Sequence, residues 1–130
     1  MSEDGFEELC GLLAERGVGI EAGVWSVSDA AALGAAGQVV LLRVLVEVGD
    51  GHPVGEVARA AEIETALGVA SVQAPQLHHG EGLATWAVID AATRRGHAVR
   101  VGLEDTLVLP DRGVPAGNAD LVAEAVRRVA

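Results

Sequence analysis

Apolar residues recur along this chain with two periods that take turns. From residue 4 to 16 (DGFEELCGLLAER), Phe6, Leu9, Leu12 and Leu13 fall on one side of a helix that Gly17 ends. A strand is predicted at 18–22 (VGIEA), then a short alanine-rich helix opened by Ser26 or Ser28 and stopping near Gly37. Residues 39–48 (VVLLRVLVEV) give the clearest strand. Pro53 suits the first turn of a helix running to about Leu67, and Pro75 leads into a strand at 76–79 (QLHH). A helix from about Leu83 to Arg95, a strand at 98–103, and a Pro/Asp/Gly loop at 110–117 follow, before a last helix with Asn118 as its N-cap. The order α-β-α-β-α-β-α-β-α, with short connections, predicts a parallel sheet with right-handed crossovers.

The strands share one sidedness. Side chains alternate between the faces of a strand, so Val18, Ile20 and Ala22 oppose Glu21 in the first. In the second, Val40, Leu42, Val44, Val46 and Val48 oppose Leu41, Arg43, Leu45 and Glu47. In the third, Gln76 and His78 oppose Leu77 and His79. In the fourth, Arg100 and Glu104 oppose Val99, Val101 and Leu103. A doubly wound sheet has helices on both sides, and its central strands read apolar on both faces. A barrel carries helices outside only, so a polar second face predicts a barrel. That face is expected to hold Glu21, Arg43, Gln76 or His78, Arg100 and Glu104. A full (βα)8 barrel takes eight strands and roughly 250 residues. Four strands in one domain, residues 1–130, predict half of one. Its unpaired edges and uncovered face predict self-association.

The chain has 130 residues, a formal charge of −10 and no lysine among its 9 basic residues. Schiff-base chemistry and a P-loop lysine are thereby excluded. The acidic balance, with no basic stretch, argues against nucleic acid and anionic membrane as partners. Cys10 stands alone at an apolar helical spacing and is expected in the core. The run at 39–48 is broken by Arg43 and Glu47 and is too short to span a bilayer. With an acidic start and no signal peptide, the protein is expected in the cytoplasm.

Candidate chemistry concentrates in residues 99–110 (VRVGLEDTLVLP). Arg100, Glu104 and Asp105 sit at the carboxyl end of the last strand, where parallel α/β folds place their active sites. Charged groups on an interior face are costly unless paired or functional. Solvation of a strand exit is the bland reading. Gly80-Glu81-Gly82, at a helix start, could take a phosphate or carboxylate on free backbone N–H groups, or could be an ordinary β-to-α turn.

Residues 77–122 (LHHGEGLATWAVIDAATRRGHAVRVGLEDTLVLPDRGVPAGNADLV) closely resemble the C-terminal half of the beta-keto acid cleavage enzymes, a group that includes 3-keto-5-aminohexanoate cleavage enzyme. The segments GVGIEAGVWSVSDA and LLRVLVEV resemble the family's fifth and sixth barrel strands. The resemblance implies an α/β fold, four parallel strands alternating with helices as the C-terminal half of a (βα)8 TIM barrel. It also implies a zinc-dependent transferase that cleaves a carbon–carbon bond. In that retro-Claisen reaction, a beta-keto acid and an acyl-CoA, usually acetyl-CoA, give acetoacetate and a new CoA thioester. By motif match Glu104 corresponds to the zinc-binding glutamate. Arg100 and Asp105 correspond to the pair that handles proton abstraction and charge stabilisation, and Glu21 to a further active-site glutamate. The family's other two zinc ligands form a His-x-His pair in the first half-barrel. This chain has His52, His78, His79 and His97, and no His-x-His. Catalytic zinc generally takes three protein ligands, and Glu104 with, at best, His78 falls short. The expected remedy is a homo-oligomer or a separately encoded N-terminal half. A non-catalytic, truncated α/β binding module is the alternative.

Overall fold

A computed structural model describes residues 3–37 and 39–130. The elements are α1 (Glu3–Glu15), β1 (Ile20–Val24), α2 (Val27–Ala35), β2 (Leu41–Val48), α3 (Pro53–Val69), β3 (Gln76–Gly80), a 3-10 turn (Gly82–Ala84), α4 (Thr85–Arg94), β4 (Ala98–Val99) and α5 (Asn118–Val129). The strands form one sheet in the order β1-β2-β3-β4, and every neighbouring pair is parallel. A doubly wound sheet reverses its strand order at a switch point. Sequential order without reversal is what four consecutive strands of a (βα)8 barrel show.

The core lies on one side of the sheet. Val24, Val44, Val46 and Val48 point into it and meet Ala30 of α2, Ala60, Ile63 and Leu67 of α3, and Val88 of α4, all buried. Small aliphatic side chains let these helices approach the sheet closely. A second cluster joins α4 and α5 through Trp86, Ile89, Leu121 and Ala125, with Val99 and Val101 against it. Trp86 Nε1 donates to the Val108 carbonyl at 2.9 Å, while Arg128 lies over the indole ring and pairs with Asp90 at 2.6 Å. Cys10 is buried, as its spacing predicts. No helix among the described residues is long and apolar enough to cross a membrane.

Three features depart from the pattern read off the sequence. The alternation of β2 is reset near its start: Ile20 pairs with Leu41 but Glu21 pairs with Arg43, so a bulge leaves Leu42 over. Leu41 therefore packs on the core beside Val44, and Leu42, expected inside, is 58% exposed. In β3 the expected faces are exchanged. Gln76 pairs with Val44, and His78 with Val46 and Val99, so both belong to the helix side, while Leu77 and His79 face the other way with Leu45 and Glu47. A strand with polar residues at both parities gives no hydrophobic cue to its register, and the neighbouring strands decide it. Finally, β4 stops at Val99, short of the predicted 103. Ladder pairing extends only to Arg100, whose N–H donates to the His78 carbonyl at 3.2 Å.

The caps are local. The Ser26 side chain accepts from Asp29 N–H at 3.1 Å, and His52 Nδ1 accepts from Val54 N–H at 3.3 Å just before Pro53. Asn118 is not the N-cap of α5; Gly117 holds that position, and the Asn118 amide oxygen accepts from Leu103 N–H at 2.7 Å instead. A residue suited to capping has been drawn to a loop whose backbone needs an acceptor.

Candidate active site at the carboxyl end of the sheet

The turn after β4 gathers the site. The Gly102 carbonyl accepts from Asp105 N–H at 3.0 Å and from Thr106 N–H at 3.1 Å, so the chain folds back within four residues. Three ties then fix the loop. Gly82 N–H donates to the Asp105 carbonyl at 2.7 Å, Asn118 holds Leu103, and Trp86 holds Val108. Thr85 Oγ1 donates to the Gly80 carbonyl at 2.8 Å and braces the other wall.

The turn separates the two acids. Asp105 is 5% exposed and points back over the sheet, whereas the Glu104 side chain is 63% exposed. Arg100 reaches Asp105 with two donors, Nη2 at 2.7 Å and Nε at 3.3 Å, and lies 3.8 Å from Glu104. The bond to Asp105 raises the Arg100 pKa above its ordinary value, so the guanidinium stays charged. Its side chain is 40% exposed, leaving part of the fork open to a small anion.

Behind Asp105 stands a histidine that the sequence reading set aside. His79 is 2% exposed, with Nδ1 3.3 Å from Asp105 Oδ1 and Nε2 3.3 Å from Glu47 Oε2. Both contacts are at ion-pair distance without aligned hydrogen bonds. Glu47, His79, Asp105 and Arg100 thus form a line of polar groups across β2, β3 and the β4 loop. Gly23 makes room for it: a Cβ there would fall 2.7 Å from Glu47 Oε1. Odd-numbered parity in β2 and β3 was the available signal, obscured because two histidines adjoin.

The remaining expected site residues are less central. Glu21 pairs with Arg43 across the first two strands, both partly exposed, and makes no contact with Asp105. Gly82 does not offer a free N–H to an anion, since that group is taken by the Asp105 carbonyl. Its φ of +53° and the Asp50 Cβ 3.1 Å from its missing Cβ explain the glycine. At Gly80 a Cβ would sit 3.0 Å from Val88 Cγ2, a packing constraint. The Gly-Glu-Gly segment is an ordinary, tight β-to-α turn.

His78 cannot join Glu104 on a metal, because strand alternation sends it to the helix side. There its Nε2 lies 2.9 Å from Gln76 Oε1, and its ring stacks on His97 with centroids 4.5 Å apart. Burial, then the neighbouring His97, push the His78 pKa down to about 4. On the open face the imidazole beside Asp105 is His79, and carboxylates occupy both its nitrogens' surroundings. The residues there do not make up a three-ligand zinc site among the described residues.

Residues 2–130 match the sequence model of the beta-keto acid cleavage enzymes. No curated protein matches the chain. With the match spanning the chain, and with sequential parallel strands, helices on one face and an Arg/Asp pair at the carboxyl end of the last strand, the chain belongs to the beta-keto acid cleavage enzyme family.

Proposed function

We propose that this chain forms the C-terminal half of a catalytic barrel that cleaves a beta-keto acid against an acyl-CoA. Acetyl-CoA is the usual acyl donor, and the products are acetoacetate and a new CoA thioester. The observation that carries the reading is the two-donor Arg100–Asp105 pair. It stands at the carboxyl edge of the sheet on the face that no helix of the described residues covers. Fold membership alone would not name a reaction; this pair is suited to one.

Asp105 is the base. Arg100 donates to both its oxygens, which fixes the orientation of the carboxylate at the edge of the sheet. The acidic carbon of a beta-keto acid lies between ketone and carboxylate, so a base there takes the proton while a cation nearby holds the carboxylate. The exposed part of the Arg100 fork supplies that cation. His79 is a positioning residue, packed behind Asp105 with Nδ1 3.3 Å from its Oδ1 and Nε2 3.3 Å from Glu47 Oε2. Glu21 serves the rim through Arg43.

The family is metal-dependent, and this chain by itself does not supply the ligand set. Glu104 is placed to offer one oxygen beside Arg100, and we assign the remaining ligands to a complementary N-terminal half or to another copy of the chain. The compartment we propose for the reaction is the cytoplasm, where coenzyme A thioesters are available. The alternative, a non-catalytic binding module, draws on that same shortfall of ligands.

The test is reconstitution. Co-expressed with an N-terminal half-barrel carrying the His-x-His strand, the chain should release acetoacetate from a beta-keto acid and acetyl-CoA. Asp105→Asn should lower kcat about 100-fold or more with little change in KM, and Arg100→Leu should damage both. Full turnover by Asp105→Asn would remove the assignment. A folded, zinc-loaded barrel without turnover would favour the binding module.

A further inference from the structure

On the other side of the sheet, away from Arg100 and Asp105, three potential ligands from three elements converge. Glu64 of α3, His78 of β3 and His97 in the turn before β4 each offer a ligand atom, and these atoms lie within 4.8 Å of one another. We propose that Glu64, His78 and His97 form a second metal site, selective for a first-row divalent ion such as zinc, cobalt or nickel, that clamps α3 to the sheet.

His78 is wholly buried and one of its nitrogens is spoken for. Nε2 lies 2.9 Å from the Gln76 amide oxygen, an acceptor, so Nε2 carries the hydrogen and Nδ1 is left with a lone pair. That Nδ1 has no hydrogen-bond partner although it is buried. Orphaned buried polar atoms are rare and costly. A histidine whose second nitrogen donates to an oxygen, fixing tautomer and ring orientation, is also the usual arrangement of a metal ligand. His97 Nε2 lies 2.8 Å from Glu64 Oε1, so the other two ligands are already in contact. Arg95 holds the second Glu64 oxygen at 2.7 Å and orients the carboxylate.

Two imidazoles and one carboxylate suit zinc and its neighbours, whereas calcium and magnesium take oxygen ligands. The entry side is open, with the Glu64 and His97 side chains 27% and 18% exposed. The two rings are within 8° of parallel, so an ion between them requires His97, the more exposed one, to tilt. A bound ion would tie α3, β3 and the turn before β4 together, and binding only to the folded state would raise its stability.

The probes are cobalt(II) and zinc alone, added to the full chain carrying no histidine tag. One equivalent of cobalt should bind with the visible absorption of a four- or five-coordinate ion, and zinc should displace it and raise Tm. His97→Ala and Glu64→Gln, both at partly exposed positions, should abolish the spectrum. Gln76→Leu should weaken binding about 10- to 100-fold. Glu104→Gln should leave the spectrum unchanged, which separates this site from any metal bound beside Arg100. No binding, binding that survives both His97→Ala and Glu64→Gln, or binding lost with Glu104→Gln overturns the proposal. In each of those cases the Glu64–His78–His97 group is a polar packing cluster, and the role of Asp105 is untouched.

Discussion

The two faces of the sheet receive adjacent residues of the same strands and treat them oppositely. Val46 and His78 pair in register on the helix side, where Val46 is fully buried among Ile63, Leu67 and Val88. Glu47 and His79 pair one step along, on the side without helices, in line with Asp105 and Arg100. The helix side gains its stability from aliphatic contact, and the polar group of Gln76, His78, His97 and Glu64 is set into it. The open side keeps its charges matched sign against sign. Charged groups are tolerated there because they lie within reach of one another, and Arg100 is only partly enclosed.

The strongest way to break this contrast is to exchange character between neighbours. Val46→Asp puts an unpaired carboxylate into the helix-side core and should cost about 3–5 kcal/mol, a large share of the roughly 5–15 kcal/mol that holds a typical domain folded. Glu47→Gln, one residue away, should keep the fold while loosening His79. Urea denaturation followed by circular dichroism measures both. Similar losses for the two variants would mean the faces are not distinct.

A second comparison tests the bulge. Ile63→Ala, at a fully buried position, should cost about 2–5 kcal/mol. Leu42→Ala should change stability by about 0.5 kcal/mol or less, although an unbroken alternation would put Leu42 in the same core. A core-sized loss at Leu42 would show that the strand resumes its regular register in solution.

The smallest effect belongs to the rim. Glu21 and Arg43 are 35% and 41% exposed at their side chains, so their pairing should contribute no more than about 1 kcal/mol, weakened further by salt. A double-mutant cycle with Glu21→Gln and Arg43→Gln reads it. A larger coupling, unresponsive to salt, would mean that this pair belongs to the enclosed network around Asp105.

Much of this molecule could be read from its sequence. The alternation of helical and strand periods gave the order of elements, and the polar second face of β2 gave helices on one side only. The motif around Arg100 placed two residues that the structure joins by two hydrogen bonds. What escaped was register. Leu42 sits in an unbroken apolar run that carries no mark of a bulge, and the Gln-Leu-His-His strand is consistent with either parity. His79 and Glu47 were therefore missed as neighbours of Asp105. The turn at Gly102 was also illegible, because the backbone bonds that end β4 and lift Glu104 outward depend on partners far along the chain, Gly82 and Asn118.

The bond from Gly82 to the Asp105 carbonyl has an architectural consequence. It moors Asp105 to the 3-10 turn that leads into α4, before the chain sets out on its long excursion to α5. The segment 110–116 beyond that mooring is thus mechanically decoupled from Asp105, and its tip near Val114 is 84% exposed. Lengthening or rewriting those residues should leave the Arg100–Asp105 pair in place, and on the proposed function it should alter what the site admits without displacing the proposed base. If the proposed chemistry holds, its substrate range and its proton transfer are separate traits carried by a single loop.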